Sequence, residues 1–223
     1  MIPNILTSVS GLPKSGKTHL AMTWPEPIKI FSFDLGADYV MTKFPDKAID
    51  IHNFTLPIIE TDTPAPYAEK VWDEFQDEYK KDVYGGEYQT LVLDTATVVW
   101  AILRQAITEA KNRKKLLEVE YALPNLKMSA LFAHARQAGI NLVTTQYLRD
   151  RYVAGENTGE LEVDGWKNTI GQSDLILEMA VKNKADKSVM IATIKSNRFD
   201  RDLNGKSFED TTYDELVALM FGE

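Results

Sequence analysis

The 223-residue chain contains no cysteine and only three histidines, His19, His52 and His134. The absence of cysteine excludes a disulfide framework and any thiolate metal centre. The histidines are far apart in the sequence, which argues against a structural zinc site. The fold must therefore be held by a hydrophobic core, and a composition of 44% hydrophobic and 26% charged residues is that of an ordinary globular protein.

Long apolar runs and an excess of positive charge are also missing. No apolar run reaches the roughly 18 residues that a membrane-spanning helix needs. The first residues, MIPNILTSVSGL, lack the basic segment and apolar stretch of a secretory signal. The formal net charge of −8 argues against a protein coated by nucleic acid or bound to an anionic membrane, although a local basic groove is compatible with it. We expect a soluble cytoplasmic protein without membrane contacts.

Predicted strands and helices alternate along the chain. The predicted strands cover residues 4–10, 28–33, 48–54, 89–94 and 140–146. The predicted helices cover 17–24, 68–84 (ended by Gly85-Gly86), 97–121, 124–138 and 213–221. This alternation predicts an α/β fold with a mostly parallel sheet flanked by helices, in one domain spanning 1–223. Residues 174–181 and 188–195 are predicted to form a C-terminal antiparallel hairpin on that sheet. Residues 57–66 and 148–165 are predicted loops.

The most specific motif is GLPKSGKT at Gly11–Thr18, which fits G-x-x-x-x-G-K-[ST] between a predicted strand and a predicted helix. Its glycines let backbone N–H groups face phosphates, at the start of a helix that favours anions. Lys17 is expected to reach the β- and γ-phosphates, and Thr18 to offer its hydroxyl to Mg²⁺. The predicted nucleotide-binding residues are Gly11, Leu12, Pro13, Lys14, Ser15, Gly16, Lys17, Thr18 and His19. The alternative is a glycine-rich turn with an incidental lysine.

A second metal ligand is predicted at Asp94, which ends the apolar strand QTLVLD. Ligands bind at the carboxyl ends of parallel strands, and a phosphate loop needs an acidic partner for its metal. We therefore predict ATP and Mg²⁺ as cofactors, with Thr18 and Asp94 as the metal ligands. The alternative is that Asp94 only caps the following helix.

With these residues in this order, the chain resembles RecA-type ATPases, in particular the small phage-encoded RecA-like ATPases of single-strand annealing and recombination. The resemblance covers about residues 5–198, and the phosphate loop is its individually specific motif. It implies a RecA-like P-loop NTPase fold, ATP hydrolysis, and a role in phage or prophage DNA recombination, in the host cytoplasm if the chain is phage-encoded. The implied partners are single-stranded DNA, further copies of the chain, and a single-strand-binding or recombination protein.

The resemblance also assigns roles to three residues outside the phosphate loop. Gln146 stands where RecA-like proteins keep a glutamine that senses the γ-phosphate. Lys195 and Arg198, in ATIKSNRF, stand where such proteins place basic residues that reach the nucleotide of the neighbouring subunit. Together with Lys17 and Asp94, these three residues complete the predicted catalytic set. The alternative for Gln146 is a strand-end glutamine whose side chain is bonded to the loop backbone. The alternative for Lys195 and Arg198 is that they are ordinary surface cations.

One position departs from the family pattern. RecA-like enzymes usually carry a glutamate just after the second strand, as the base that activates water, whereas the sequence FSFDLGADY has Gly36 there. Asp34 and Asp38 remain as carboxylates near the same sheet edge, and either could substitute.

Two segments are predicted to contact DNA. In RecA-like proteins the loop after the sensor glutamine does so, and here it holds alternating cations and aromatics that suit phosphates and bases: Tyr147, Arg149, Arg151, Tyr152, Trp166 and Lys167. A second basic patch is formed by Arg104, Lys111, Arg113, Lys114 and Lys115. The alternative for both segments is a solvated surface. The alternative for the whole protein is a nucleotide-switched assembly module with little turnover, while a P-loop kinase is disfavoured because the chain lacks an arginine-rich lid.

Overall fold

The computed structural model describes residues 2–58 and 66–222, so the loop predicted at 57–66 lies largely outside the described residues. The strands are β1 (Leu6–Gly11), β2 (Ile28–Ser32), β3 (Ile49–Asn53), β4 (Thr90–Asp94), β5 (Asn141–Gln146), β6 (Leu148–Val153), β7 (Glu156–Val163), β8 (Leu175–Asn183), β9 (Ser188–Asn197) and β10 (Ser207–Glu209). The helices are α1 (Lys17–Ala21), α2 (Ala37–Met41), α3 (Ala68–Gly85), α4 (Ala96–Ala110), α5 (Ala122–Ala138), α6 (Thr169–Gln172) and α7 (Tyr213–Phe221).

Eight strands form one sheet in the order β10-β9-β8-β1-β5-β4-β2-β3. The pairings from β8 to β3 are parallel, and β9 runs antiparallel to both β8 and β10. Every residue of β1, β4 and β5 is buried, which explains why these segments do not alternate between apolar and charged residues. The predicted α/β architecture and its antiparallel hairpin are confirmed.

Helices cover both faces of the sheet. One face packs against α3, α4 and α5 and contains Phe31, Phe75, Leu103 and Phe132. The other packs against α1, α2 and α7 around residues such as Trp24. In the described part of the chain, no helix is both long and apolar enough to cross a membrane.

The segment predicted as a loop at 148–165 is instead an antiparallel hairpin, formed by β6 and β7 and separate from the main sheet. Almost all of its residues are exposed. Because neither face of the hairpin is buried in a core, no hydrophobic alternation is imposed on its sequence, and the usual signal for a strand is missing.

The helix predicted at 97–121 ends earlier, at Ala110. Asn112 adopts a left-handed conformation with φ of 50°, and the N–H of Arg113 turns back to the carbonyl oxygen of Thr108. These are features of a helix C-terminus, and asparagine tolerates them better than most residues. The basic patch therefore lies mainly on an irregular connection rather than on a helix.

Candidate active site

The phosphate loop connects the buried strand β1 to helix α1. A side-chain carbon at Gly11 would lie 2.6 Å from the carbonyl oxygen of Met179 on β8, so only glycine fits there. Gly16 has φ of 93°, a conformation that favours glycine. The two motif glycines are thus required by a close approach and by backbone geometry, which hold the loop in a tight curve at the carboxyl edge of the sheet.

Lys17 lies inside this curve, with only 6% of its surface exposed. Its ammonium group donates to the carbonyl oxygens of Gly11 and Leu12, each at 2.9 Å, and lies 5.4 Å from the centre of the Tyr147 ring. Burial lowers the pKa of Lys17, while the nearby carboxylates of Asp94 and Asp34 oppose that shift. The ammonium group is therefore held beneath the loop by neutral oxygens and an aromatic face.

Asp94, at the end of β4, faces the phosphate loop across the sheet edge. The hydroxyl of Thr18 donates to Asp94 Oδ2 at 3.0 Å, and the hydroxyl of Thr145 donates to Oδ1. Asp94 is 1% exposed, and burial, with a contribution from the charge of Asp34, raises its pKa to about 6. Hydroxyl donors do not neutralise a carboxylate. The negative charge of this buried group is therefore unfavourable until a cation binds beside it.

Asp34 follows β2, the strand beside β4. Its Oδ1 accepts from the backbone N–H of Gly36 at 3.1 Å, and its Oδ2 accepts from the Tyr147 hydroxyl at 3.0 Å. Asp38 instead accepts from the side chain of Asn53 and does not line the same cavity. Of the two carboxylates left open by the sequence, the structure brings only Asp34 to the phosphate loop.

These residues surround an open cavity of about 930 Å³. Of the predicted nucleotide-binding residues, those from Pro13 to His19 line it, while Gly11 and Leu12 lie beneath it and bind Lys17 through their carbonyl oxygens. The sequence did not single out several further lining residues, among them Lys43, Ser188, Met190 and Asp210. They belong to distant segments and carry no motif, so no local signal identified them.

The residues at this cavity fit a magnesium nucleotide. The Thr18 hydroxyl and the Asp94 carboxylate already meet at one point, and oxygen ligands of this kind suit Mg²⁺. The buried hydroxyl of Ser15 has no hydrogen-bond partner among the described residues, although it lies within the phosphate loop. An unsatisfied buried donor is costly unless a ligand binds it, and a phosphate oxygen would do so.

Gln146 is not brought to the cavity. Its side chain is fully buried, its Oε1 accepts from the Ser8 hydroxyl at 2.9 Å, and its Nε2 lies 3.5 Å from Thr169 Oγ1. These contacts are those of a strand-end glutamine bonded to its surroundings. The γ-phosphate sensor role therefore stays a prediction, and it requires the amide to leave Ser8 and Thr169.

Arg198 lies toward the opposite edge of the sheet from the phosphate loop, whereas Lys195 lies nearer the middle of β9, beside Glu178. Arg198 donates its backbone N–H to Asp174, which pairs with Leu6 at the amino end of β1, whereas the loop begins at Gly11. Five residues of strand separate these points by about 16 Å. Arg198 cannot reach the phosphate loop of its own chain, so any action on a nucleotide has to be on that of a neighbour.

Both residues also have ionic partners. The guanidinium of Arg198 lies 2.8 Å from Oδ1 of the buried Asp174, a carboxylate that Arg136 shares at 3.1 Å. Lys195 lies 3.5 Å from Glu178. Two guanidinium groups around one carboxylate leave one positive charge in excess at this edge.

The hairpin cations are neutralised within the hairpin. Arg149 pairs with Glu162 at 2.7 Å and Asp164 at 3.2 Å, and Arg151 pairs with Glu160 at 2.6 Å. Trp166, predicted to stack on bases, is 2% exposed and donates its indole N–H to Asn125. That part of the prediction is corrected, because the ring belongs to the core.

The second basic patch is also partly neutralised, since Lys111 and Arg113 both bind Glu120, at 2.6 and 2.8 Å. These contacts hold the pKa of Glu120 well below its usual value. Arg104 differs, because its guanidinium lies 5.5 Å from the Trp100 ring centre and its buried Nε has no hydrogen-bond partner in the described residues. A cavity of about 440 Å³ brings this arginine together with Arg149 and Lys167.

Comparison with known proteins agrees with this geometry. The sequence family described as an AAA domain matches residues 5–202. Among solved structures, the chain is similar to a KaiC-like protein from the hyperthermophilic archaeon Pyrococcus horikoshii OT3, with a TM-score of 0.56 and 12% identity over 93% of this chain and 85% of that one. At that identity the likeness concerns the fold alone. No curated protein matches the chain.

Proposed function

The chain belongs to the AAA domain family of P-loop nucleoside triphosphatases, and from this premise we propose that it is a magnesium-dependent, RecA-like ATPase that acts on single-stranded DNA in phage or prophage recombination. The observation that carries the ATPase part is the contact between Thr18 and Asp94 beside the phosphate loop. Two residues 76 positions apart meet at the point where a nucleotide-bound Mg²⁺ needs a hydroxyl and a carboxylate.

The residues at the carboxyl edge have different roles in hydrolysis. Lys17 and the Ser15 hydroxyl bind phosphate oxygens, while Thr18 and Asp94 hold the metal. When bound, Mg²⁺ neutralises the charge that develops on the transferring phosphoryl group. The Lys17 ammonium has three donors, of which two bind the Gly11 and Leu12 carbonyl oxygens, so one remains for a phosphate oxygen.

We assign the activation of water to Asp34. It lines the same cavity as Lys17 and Asp94, and the glutamate usual in RecA-like enzymes is absent at Gly36. Asp34→Asn should lower turnover by about 100-fold, since general-base catalysis contributes about 10²–10⁴-fold, while ATP still binds.

The matched control is Asp38→Asn, four positions along the chain, where the carboxylate faces Asn53 rather than the cavity. Phosphate release and the affinity for a fluorescent ATP analogue are measured for both variants. Equal turnover of Asp34→Asn and Asp38→Asn would remove the assignment of Asp34.

We further propose that Arg198, with Lys195, completes the site of a neighbouring copy. This proposal is supported by its distance from its own phosphate loop and by the positive charge shared with Arg136 around Asp174. Mixing Lys17→Ala subunits with Arg198→Ala subunits should restore part of the activity, because some interfaces pair an intact loop with an intact arginine. Activity that is strictly additive at every protein concentration would contradict it.

The proposed DNA site lies where Arg104, Arg149 and Lys167 line one cavity with Tyr121, while Trp100, which Arg104 contacts, is itself only 8% exposed. Cations near aromatic rings are typical of single-strand binding, and the salt dependence of affinity reports phosphate contacts. A labelled oligonucleotide is titrated at two salt concentrations, with and without ATP. Binding that weakens steeply with salt is expected, and no binding at low salt in either state would contradict the DNA role.

A second candidate function is a nucleotide-switched assembly module with little turnover, in which a recombination or single-strand-binding protein is the partner. Two observations favour it: Lys17 is held by its own loop, and Gln146 is bonded away from the cavity. Turnover with and without single-stranded DNA separates the two functions. An ATPase shows stimulated phosphate release, whereas the switch shows nucleotide-dependent assembly at the same low rate.

A further inference from the structure

Tyr147 lies between the phosphate site and the hairpin, as the single residue separating β5 from β6. Its hydroxyl donates to Asp34 Oδ2 at 3.0 Å, and its ring centre lies 5.4 Å from the Lys17 ammonium. One side chain therefore touches the two charged groups of opposite sign at the mouth of the cavity, and it also lines that cavity.

The backbone of Tyr147 is fixed by neighbours on both sides. Its N–H donates to Thr97 Oγ1 at 3.1 Å, and its carbonyl oxygen accepts from the N–H of Asp164 at 2.9 Å. The Thr97 hydroxyl donates in turn to the Asp164 carbonyl at 2.8 Å. The start of α4 and the far end of the hairpin thus form a closed set of hydrogen bonds around Tyr147, which fixes the backbone from which its side chain extends to Asp34.

The hydroxyl remains a donor at neutral pH, because burial and the charge of Asp34 raise the pKa of Tyr147 to about 12. With Tyr147 on Oδ2 and Gly36 on Oδ1, each oxygen of the Asp34 carboxylate accepts one hydrogen bond. A carboxylate oxygen has two acceptor positions, so each oxygen keeps one for a water molecule. The carboxylate is held in one orientation without being blocked.

We propose that Tyr147 is a positioning residue for hydrolysis, which orients the Asp34 carboxylate toward the attacking water through its hydroxyl while its ring covers the Lys17 ammonium. The proposal rests on the proposed function, since it takes Asp34 as the base. Tyr147 joins β5 to the hairpin strand β6. A displacement of the hairpin would therefore move the Tyr147 hydroxyl and, through it, the Asp34 carboxylate.

The test uses Tyr147→Phe, which removes the hydroxyl and keeps the ring over Lys17. Loss of one hydrogen bond to a charged group should lower kcat by about tenfold. The dissociation constant of a fluorescent ATP analogue should stay within about twofold, because the contacts of the phosphate loop are retained. A residue with only a structural role would not separate kcat from nucleotide affinity in this way. The matched control is Tyr39→Phe, whose side chain is exposed on α2 and away from the cavity.

The double variant Asp34→Asn/Tyr147→Phe identifies the route of the effect. If the hydroxyl acts through Asp34, the double variant should turn over at the rate of Asp34→Asn alone. Multiplied losses, or an unchanged kcat in Tyr147→Phe when Asp34→Asn is slow, would overturn the positioning role and leave the proposed function standing. A normal rate for Asp34→Asn itself would instead overturn the assignment of the base, and the positioning role with it.

Discussion

The carboxyl edge of the sheet and the β6–β7 hairpin both carry charged residues, but they use them differently. At the carboxyl edge, Lys17, Asp94 and Asp34 lie around one cavity, and the ammonium group of Lys17 is bonded to neutral carbonyl oxygens. In the hairpin, Arg149 and Arg151 are each bonded directly to carboxylates of the opposite strand. The first region keeps its charges apart and available for a ligand, whereas the second has largely neutralised them.

The two regions differ in burial, and burial determines how much an unpaired charge costs in free energy. Asp94 is 1% exposed, so its charge is costly and a bound cation offsets that cost. The Arg149 side chain is 50% exposed, and surface ion pairs of this kind contribute about 0–1 kcal/mol. A ligand can therefore displace the hairpin ion pairs at little cost. The paired cations of the hairpin, however, carry no uncompensated charge that ligand binding would relieve.

Removing the charge at the centre of the carboxyl edge should have the largest effect. Lys17→Ala is expected to reduce ATP turnover by about 10³-fold or more, and to weaken nucleotide binding by at least about tenfold, because a charge-assisted contact to the phosphates is lost. Phosphate release and nucleotide titration measure the two effects. Lys70→Ala, an exposed lysine on α3, serves as the control. Turnover equal to that of the control would show that the loop does not act on phosphates.

Asp94→Asn sharpens the comparison because it should move activity and stability in opposite directions. Mg²⁺-dependent turnover should fall by about 100-fold, since a metal ligand is weakened. In the nucleotide-free protein, the raised pKa of about 6 means that the folded state binds the proton more tightly than the unfolded state does. The free energy of unfolding therefore falls as the pH rises from about 4, where Asp94 ionises in the unfolded chain, to about 6, where it ionises in the folded protein.

The variant removes that destabilisation, so its free energy of unfolding should exceed that of the parent by about 3 kcal/mol at pH 8, since the pKa of Asp94 is raised to about 6. The two proteins should become equal near pH 4, where Asp94 is protonated. Thermal unfolding at both pH values measures this, and Asp73→Asn, exposed on α3, is the control. A variant that is less stable at pH 8 would mean that Asp94 is not held as a costly buried charge.

The hairpin should give the smallest effect. Glu162→Gln frees Arg149 from one partner and should raise the affinity for single-stranded DNA by about two- to threefold at low salt, with a slightly steeper salt dependence. Glu156→Gln changes the net charge equally, and the described residues give Glu156 no salt-bridge partner. If both variants gain the same affinity, the effect is one of net charge, and Arg149 makes no contact with DNA.

The sequence was most informative where the site is local. The phosphate loop is one continuous motif, and Asp94 could be placed because a buried parallel strand ends there. The contact between Tyr147 and Asp34 could not be predicted, since it joins residues 113 positions apart and depends on the order of the strands in the sheet. For the same reason, the pairing of Arg198 with Asp174 became visible only once β8 and β9 were paired.

The hairpin was missed for a different reason. Its strands are exposed on both sides, so packing does not select a hydrophobic pattern, and cross-strand ion pairs leave no such signature. The ion pairs also explain why the basic residues of the hairpin do not form a free cationic surface. Arg149 and Arg151, which suit phosphates by residue type, have carboxylate partners on the facing strand.

We propose that the carboxyl edge binds and hydrolyses a magnesium nucleotide that a neighbouring copy helps to enclose. The most direct measurement is a structure of the protein with Mg²⁺ and a non-hydrolysable ATP analogue. We predict the phosphates in the loop on Lys17, the metal on Thr18 and Asp94, Asp34 facing the γ-phosphate, and Arg198 of an adjacent copy approaching it. A nucleotide bound elsewhere, or a metal without contact to Thr18 and Asp94, would contradict the account.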